Sequence, residues 1–327
     1  MKIFVVETAN GPFQEVEAKK PELLPGHVLV KISASGVNPL DTKIRAGHAK
    51  HARHARQPLP AVLGLDMAGT VDEIGAGVTS FRMGDEVFGM VGGVGGMQGT
   101  LAEYISADAA LLAAKPSAMS MQQAAALPLV AITAWEGLVD RAKVHSGQTV
   151  LVHAGAGGVG FAAVQIALAF GAKVYATVSP DKRALIEEVG AISIDRKQTV
   201  EAYVQDRTAG EGFDIIYDTL GGEVLDASFA AVKRYSGRVV SCLGWGTHAL
   251  APLSFRAATY SGVFTLLPLL SGVGRTHHGE ILREVSNLAA KNQLRPLLVA
   301  EQFSRNDIAA AYDLVAKGSK GKVVVQF

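Results

Sequence analysis

One stretch of the chain decides its fold: Val150-Leu151-Val152-His153-Ala154-Gly155-Ala156-Gly157-Gly158-Val159-Gly160. It begins as an apolar run and ends in Gly-x-Gly-x-x-Gly, directly before a helical pattern. The first glycine permits a tight turn, the second lets the backbone approach a pyrophosphate, and the third lets helix and strand pack closely. Because a helix amino end offers free N–H groups and partial positive charge, the stretch predicts a dinucleotide site. Its residues would be Gly155, Gly157, Gly158, Val159 and Gly160.

Strands and helices alternate outward from this turn. Predicted strands are Thr149–His153, Lys173–Val178, Ala191–Ile194, Phe213–Asp218 and Arg238–Leu243, and the helices between them are Gly158–Phe170, Lys182–Val189, Val200–Thr208 and Glu223–Val232. This alternation predicts right-handed crossovers and a doubly wound parallel sheet. The continuous apolar runs Val150-Leu151-Val152 and Ile215-Ile216 suit a sheet that is covered on both faces.

The first third of the chain has a different pattern. Short apolar runs at Ile3–Val6, Val28–Ile32, Met67–Ile74 and Glu86–Met90 are separated by glycine and proline turns, which is typical of a compact β-rich domain. A capping-box spacing at Ser120–Gln123 marks the change to helices. The tail, with predicted helices Glu280–Lys291 and Asn306–Lys317 and strand Lys322–Phe327, is expected to rejoin the β-rich domain. We therefore predict one domain from 1–122 and 269–327, and a nucleotide-binding domain from 123–268.

Composition excludes several classes of function. A chain of 327 residues with 49% hydrophobic and 19% charged residues suits two globular domains. A net charge of +1 gives no field that attracts nucleic acid. Two long uncharged stretches are interrupted by glycine and proline, so we expect no membrane span. With one cysteine, Cys242, and no signal-peptide pattern, we expect a cytoplasmic protein.

The end of the second predicted strand bears on the choice of coenzyme. NAD-selective sites carry an acidic residue about 20 positions beyond the glycines, where this chain has Ser179, although Asp181 follows two residues later. Lys182, Arg183 and Arg196 bring positive charge to the same region, and a guanidinium grips phosphate well. We therefore expect NADPH to be the cofactor. The alternative is that these cations are ordinary helix-surface residues.

A catalytic zinc site is not expected. Such a site in a dehydrogenase takes three protein ligands, typically thiolate and imidazole, and the single cysteine lies far from the expected positions. His48, His51 and His54 do not share one helix face well, and Lys50, Arg53 and Arg56 in the same segment repel cations. We interpret this segment as a basic, solvated loop and predict no metal.

Several segments together resemble the zinc-free medium-chain dehydrogenase/reductase proteins, most closely the quinone oxidoreductase or ζ-crystallin-like branch. They are Ser35–Thr42, Gly64–Gly69, Gly84–Gly89, Ala102–Tyr104, Gly155–Gly160 and Gly321–Val325. Zinc-containing relatives have a cysteine ligand where Asn38 stands, and Gly-His-Glu where this chain has Gly64-Leu65-Asp66. The resemblance covers the whole chain and implies a GroES-like catalytic domain joined to a Rossmann domain.

The resemblance also implies roles for individual residues. Asn38 and Asp41 would border the nicotinamide and the substrate, and Thr133 would bind the carboxamide. Ser179, Arg183 and Arg196 would hold the 2′-phosphate. Leu243 and Gly244 would line the nicotinamide ribose, and Lys322 would also bind the coenzyme. Related proteins are usually homodimers joined through an edge strand of the nucleotide domain.

These observations predict a zinc-independent, NADPH-dependent oxidoreductase that reduces a quinone or an α,β-unsaturated carbonyl by hydride transfer. A small molecule is the expected partner, with neither nucleic acid nor membrane involved. Two alternatives stay open: an enoyl-thioester reductase, whose coenzyme A phosphate would meet the basic loop, and a non-catalytic NADPH-binding protein. The residues identify no proton donor.

Overall fold

The computed structural model describes residues 1–47 and 57–327. The predicted basic loop, with His48, His51 and His54, therefore lies outside the described residues. The chain forms two compact units: Met1–Ile132 together with Leu266–Phe327, and Thr133–Thr265.

The strands are β1 (Lys2–Val6), β2 (Phe13–Glu17), β3 (His27–Val37), β4 (Ala61–Val62), β5 (Asp66–Ile74), β6 (Glu86–Met90), β7 (Tyr104–Asp108), β8 (Leu112–Ala114), β9 (Thr149–Val152), β10 (Lys173–Val178), β11 (Ile192–Asp195), β12 (Ile215–Asp218), β13 (Arg238–Ser241), β14 (Thr259–Gly262), β15 (Phe303–Ser304) and β16 (Val323–Gln326). The α-helices are α1 (Pro39–Arg45), α2 (Met121–Ala125), α3 (Pro128–Trp135), α4 (Gly158–Ala169), α5 (Arg183–Glu188), α6 (Val200–Thr208), α7 (Gly222–Ala231), α8 (Ala251–Ser254), α9 (Leu267–Ser271), α10 (Arg275–Ala290) and α11 (Ile308–Lys317).

The first unit is built on antiparallel sheets. A seven-stranded sheet has the order β15-β16-β3-β5-β6-β8, with β7 also paired to β3, and a smaller sheet has the order β2-β1-β4. The long strand β3 pairs with β5, β7 and β16, so the C-terminal strand β16 joins the β-rich domain as the sequence predicted. The GroES-like β-rich fold class is confirmed.

The second unit is a six-stranded sheet with the order β11-β10-β9-β12-β13-β14. Every pairing in it is parallel. Counted from β9 as the first strand this is the order 3-2-1-4-5-6, the doubly wound arrangement that binds dinucleotides where the strand order reverses. The predicted Rossmann fold is confirmed, and β9 is its central strand.

The boundaries between the units differ from the predicted ones. The first break falls inside α3, after Ile132 rather than after residue 122, because α2 packs on β3 and β5 of the first unit. The approach is close, since a Cβ placed on Gly36 would lie 2.3 Å from the carbonyl oxygen of Ala125. The second break precedes Leu266 rather than residue 269.

Local structure near this break also differs from the sequence prediction. Ser120 and Gln123 form the predicted capping box at the start of α2. The residue pattern of Ile132–Lys143 predicts one helix, but α3 ends at Trp135 and a π-helical turn follows at Glu136–Arg141, a geometry that hydrophobic periodicity does not reveal. In the described part of the chain, no helix combines the length and apolar character that crossing a membrane would require.

Candidate functional site

The glycine-rich turn joins the central strand β9 to α4. Gly157 is the N-cap of α4, with extended backbone at φ −79° and ψ 167°. A helix has no internal partner for its first N–H groups, so those of Gly158, Val159 and Gly160 point out of the amino end of α4. The turn therefore has the donors and the dipole direction that a pyrophosphate needs.

Each glycine of the motif has its own steric reason. A Cβ on Gly155 would lie 2.5 Å from the Cβ of Ala176, and one on Gly160 would lie 2.2 Å from the carbonyl oxygen of Ala154. Gly157 differs, because an added Cβ would meet only the Ala154 carbonyl oxygen, at 3.2 Å, and the residue is exposed. The first and third glycines are thus required by packing, whereas the second leaves an open surface over the helix end. These residues fit a dinucleotide.

Two side chains that the sequence reasoning missed brace this turn. Thr177, on β10, accepts from the backbone N–H of Ala154 through its Oγ1, at 3.1 Å. The same oxygen lies 3.3 Å from Nδ1 of His153. His153 is buried, its Nε2 has no hydrogen-bond partner, and burial lowers its pKa to about 4 against the opposing influence of Asp218. The imidazole is therefore neutral near pH 7.

The predicted 2′-phosphate residues lie at the carboxyl ends of β10 and β11. The backbone N–H of Arg196 donates to the carbonyl of Val178 at 2.9 Å, which places Arg196 beside Ser179. Arg183 begins α5, one turn beyond Ser179. Both arginines are exposed, and neither forms an ion pair with any of the residues that the structure describes. Ser179 itself donates to Asp181 at 2.5 Å, so a carboxylate lies beside Ser179 at the carboxyl end of β10.

Asp218 organises the opposite side of the same sheet edge. Its carboxylate accepts from the backbone N–H groups of Leu220 and Gly221, both at 3.0 Å, and from the Ser241 hydroxyl at 2.6 Å. Ser241 in turn accepts from the N–H of Leu243 at 3.1 Å. Leu243 and Gly244, predicted to line the ribose, are thus held through Ser241 at the carboxyl end of β13.

Thr133 lies in a hydrogen-bonded group of its own. Its carbonyl accepts from the hydroxyl of Tyr217 at 2.7 Å, and its Oγ1 lies 2.9 Å from Oγ1 of Thr265. Thr265 also lies 3.0 Å from the carboxylate of Glu136. The Thr265 hydroxyl has one hydrogen, which it shares between Thr133 Oγ1 and the Glu136 carboxylate, so Thr133 accepts from Thr265. Thr133 is mostly buried, so binding of a carboxamide by its hydroxyl would compete with this chain of bonds.

In the first unit, Asn38 and Asp41 belong to a buried cluster, here called the Asn38 cluster, which also contains Asp66 and Lys322. Asn38 donates from Nδ2 to Asp66 Oδ2 at 2.9 Å and accepts from the Lys322 ammonium through Oδ1. Its backbone N–H donates to Asp41 Oδ2 at 2.8 Å. The exposed fractions are 0% for Asn38 and Asp66, 1% for Asp41 and 6% for Lys322.

Burial shifts the protonation equilibria of this cluster. Desolvation raises the pKa of Asp41 to about 7, although its bond from Asn38 opposes the rise. Desolvation raises the pKa of Asp66 to about 6, against the attraction of Lys322, and burial lowers the pKa of Lys322. Asp41 Oδ1 has no hydrogen-bond partner. The cluster is therefore a compact set of groups that can hold or release a proton near neutral pH.

The Asn38 cluster does not fit a zinc ion. Asn38 stands where zinc-containing relatives have a cysteine, and both ends of its amide are already bonded. The Lys322 ammonium lies 4.0 Å from Asp66 Oδ2, and a cation at that distance opposes a second one. Within residues 1–47 and 57–327, no three histidine, cysteine or acidic side chains are grouped as metal ligands would be.

Sequence reasoning found the backbone site and missed its supporting side chains. Asp66 begins β5 and Asp218 ends β12, and a fully buried carboxylate at either position is unusual. That position is a signal that could have singled them out. His153 and Thr177 carry no comparable signal, because one follows an apolar strand as an ordinary turn residue and the other lies within one.

Comparison with known proteins finds a family match in each of the two units. Residues 24–117 match the family described as "Alcohol dehydrogenase GroES-like domain", and residues 158–267 match "Zinc-binding dehydrogenase". The chain is 34% identical over 315 residues to the 2-methylene-furan-3-one reductase of Solanum lycopersicum, covering 93% of this chain and 73% of that protein. It is 34% identical over 316 residues to the NADPH-dependent alkenal/one oxidoreductase of Arabidopsis thaliana, with the same coverage.

A third relative is much longer. The spectinabilin polyketide synthase system protein NorB of Streptomyces orinoci is 36% identical over 314 residues, which are 94% of this chain and 13% of that protein. This chain therefore spans about an eighth of that relative and about three quarters of the two plant reductases.

Solved structures agree with these matches. An alcohol dehydrogenase superfamily protein from Novosphingobium aromaticivorans superposes with a TM-score of 0.97 at 56% identity, covering 100% of this chain and 99% of the other. The CurK enoyl reductase gives a TM-score of 0.86 at 28% identity, with 99% of each chain covered. The quinone oxidoreductase from Coxiella burnetii gives 0.80 at 26% identity, covering 100% and 99%.

Proposed function

The chain belongs to the medium-chain dehydrogenase/reductase superfamily, in its quinone oxidoreductase-like branch, and on that premise we propose that it is a zinc-independent, NADPH-dependent reductase. Its substrate would be a quinone or an α,β-unsaturated carbonyl compound. The observation that carries this proposal is the unobstructed helix end at Gly157–Gly160, directly after the central strand of a doubly wound sheet.

The residues of the turn bind and orient the coenzyme. The N–H groups of Gly158, Val159 and Gly160 would receive the pyrophosphate, and Thr177 and His153 keep the turn in place. When bound, the dinucleotide supplies the hydride, and the protein contributes orientation and electrostatics. Leu243 and Gly244, fixed through Asp218 and Ser241, would support its ribose.

A preference for NADPH over NADH is supported by charge at the carboxyl ends of β10 and β11. Arg183 and Arg196 are exposed there beside Ser179. A guanidinium can donate two parallel hydrogen bonds to a phosphate, and only NADPH carries a phosphate on the 2′-oxygen. The Asp181 carboxylate beside Ser179 opposes this preference.

Independence from zinc is supported by the donor chemistry of the Asn38 cluster, which pairs an amide and two carboxylates with an ammonium. An acceptor that is not polarised by a Lewis acid must itself accommodate the incoming charge. A quinone or enone does so because its conjugated oxygen takes up the negative charge. A conjugated acceptor is therefore favoured over a simple ketone.

Similarity to the CurK enoyl reductase favours one second candidate, reduction of an enoyl thioester. The chemistry is the same, because hydride adds to the β-carbon of a conjugated carbonyl. The two candidates differ in the recognition of the thiol portion of the substrate. Comparing a free enone with its coenzyme A thioester at equal concentration separates them.

The proposed function is tested by a substrate panel. NADPH and NADH oxidation are followed at 340 nm with 1,2-naphthoquinone, an alkenal, an enoyl thioester and a simple ketone, each with and without a chelator. We expect turnover of conjugated acceptors with NADPH, unaffected by chelation. Activity that disappears with the chelator and returns with zinc contradicts the proposal, as does coenzyme binding without turnover of any acceptor.

We also propose that the protein is a homodimer joined through β14, an edge strand of the second unit's sheet. Two large aromatic side chains of that unit are exposed, Tyr235 (85%) and Phe255 (84%). The N–H of Tyr235 donates to the carbonyl of Arg256 at 2.8 Å, which keeps the two segments together. Light scattering of the wild type and of Phe255→Asp tests this assembly.

A further inference from the structure

Lys322 is a buried lysine whose ammonium lies among acidic groups. It precedes β16, its Nζ donates to Asn38 Oδ1, and it lies 4.0 Å from Asp66 Oδ2. A buried charge is expensive unless it is paired and hydrogen-bonded. Lys322 and Asp66 therefore compensate each other, although they come from opposite ends of the chain.

Opposite charges fix the orientation of the Asn38 amide. Its Nδ2 donates to a carboxylate and its Oδ1 accepts from an ammonium. If the amide were flipped, its Nδ2 would face the ammonium and its Oδ1 would face the carboxylate, and both hydrogen bonds would be lost. Asn38 is the N-cap of α1, so the same two charges hold the first turn of that helix, including Asp41.

Lys322 is also the member of the cluster that reaches a pocket. Side chains alternate between the faces of a strand, so Lys322, directly before β16, continues the face that carries Val324 and Gln326. All three line a pocket of about 400 Å³ within the first unit. The remaining lining is mostly polar, with Ser120, Gln122, Gln123, Glu301 and Gln302 among its residues. Asn38, Asp41 and Asp66 do not line it as far as the structure describes its walls.

We propose that Lys322 is a positioning residue for the proposed reduction: its ammonium takes the place of a metal as the cation that holds Asp66 ionised and fixes the Asn38 amide. The proposal rests on the proposed zinc-independent function and deepens it. It gives Lys322 a role inside the first unit, against Asn38 and Asp66, in place of the coenzyme-binding role that the sequence predicts for it.

Two carboxyl groups, on two different elements, act electrostatically on this ammonium. Asp41 comes from α1 and Asp66 from β5. Tyr312, on α11, faces Asp41, and Arg45 faces Tyr312.

A carboxyl group whose pKa is raised by folding favours the folded state at low pH, and that contribution is lost as the pH rises through the folded value. Removing the ammonium raises these values further, so the loss of stability must grow with pH.

The first experiment compares thermal unfolding of the wild type and Lys322→Met near pH 5 and pH 8. We expect a drop of several degrees in Tm at pH 8 and a much smaller change at pH 5, where the carboxyl groups are protonated. Lys322→Arg should keep the wild-type pH dependence because it keeps the charge. Lys19→Met, which removes an exposed lysine of the same unit, is the matched control. An equal loss at both pH values means that Lys322 only fills space and overturns the proposal.

The double variant Asp66→Asn/Lys322→Met closes the cycle. With both charges removed, the Asn38 amide can flip and accept from the new asparagine, so most of the Tm lost at pH 8 should return. If Lys322→Met alone does not fold, a folded double variant still shows that the unpaired Asp66 carboxylate was the cause. If the double variant is no more stable than the single one at pH 8, the proposed pairing is wrong.

A binding measurement separates positioning from coenzyme recognition. For Lys322→Met we expect the Kd for NADPH, measured by fluorescence, to stay within about twofold of the wild type, while kcat for an enone falls and its pH profile shifts. A large rise in Kd with an unchanged pH profile overturns the positioning role. Because the Tm cycle needs no turnover, it can succeed even if no enone is reduced, in which case only the proposed function fails.

Discussion

The two units achieve order at their candidate sites by different means. In the second unit, the glycine turn is a neutral backbone structure, shaped by three glycines and braced by Thr177. In the first unit, the Asn38 cluster is made of side chains, and charge fixes its geometry. A backbone site is encoded in one continuous stretch, whereas a charged cluster depends on partners that meet only in the folded protein.

The two sites also respond to acid in opposite directions. Asp41 and Asp66 have raised pKa values, so acidification favours their folded environment. His153 has a lowered pKa, so acidification disfavours the fold around the turn. Near neutral pH the turn is insensitive to protonation, while the cluster is poised to change its charge.

The largest expected effect is at Gly157, where binding and stability should separate. Gly157→Asp places a carboxylate and a Cβ on the open surface over the helix end, so NADPH affinity should fall at least about 100-fold. Its backbone angles suit any residue, and the favourable N-cap aspartate offsets the tight 3.2 Å approach of the added Cβ to the Ala154 carbonyl oxygen, so the Tm should change little. Calorimetric titration and thermal unfolding measure the two quantities.

Ser236→Asp is the matched control, since it adds the same charge at an exposed position before β13, at the amino end of the sheet. It should leave NADPH affinity as it is. If Gly157→Asp binds NADPH as well as the control does, the turn is not the pyrophosphate site.

The contrast between the sites explains what the sequence could predict. The glycine spacing, β10 and α6 were predicted from local patterns, and the structure has β10 and α6 with the predicted bounds. The exposed strand β2 was missed because four of its five residues face solvent and no apolar alternation shows. The bond between Lys322 and Asn38 joins residues 284 positions apart, and no local pattern records such a contact.

The second prediction concerns discrimination between the coenzymes. Arg183→Ala/Arg196→Ala should weaken NADPH binding by about 10- to 100-fold, because hydrogen bonds to charged groups contribute about 1.5–3 kcal/mol. NADH binding should barely change. Titrating both coenzymes against the variant and the wild type checks this. An equal loss for the two coenzymes would show that the arginines support the sheet edge and not the 2′-phosphate.

The third prediction is a pH dependence that belongs to the turn. His153 titrates near its usual value of 6.5 when unfolded and at about 4 when folded, so the unfolded state binds more protons between these values and stability falls with acid. Between pH 7 and pH 5, the free energy of unfolding of His153→Leu should therefore fall by about 1–2 kcal/mol less than that of the wild type. Denaturant unfolding at both pH values measures it. The exposed His145→Gln is the control, and an unchanged slope in His153→Leu would mean that the imidazole is not held neutral.

The smallest expected effect sharpens the same contrast at the edge of the second unit. Asp181 accepts from Ser179 at 2.5 Å and places a negative charge where a 2′-phosphate would arrive. Asp181→Asn keeps the size of the side chain and removes the charge, so NADPH affinity should rise by about two- to fourfold, since exposed charges interact weakly. The gain should shrink at high salt, because the Debye length falls from about 10 Å at 0.1 M to about 3 Å at 1 M and exposed charges further apart than this are screened. NADH affinity should not change, and titrations of both coenzymes at low and high ionic strength test all three statements. If the gain in affinity persists at high salt, or appears equally for NADH, its cause is the freed Ser179 hydroxyl and not the loss of charge repulsion.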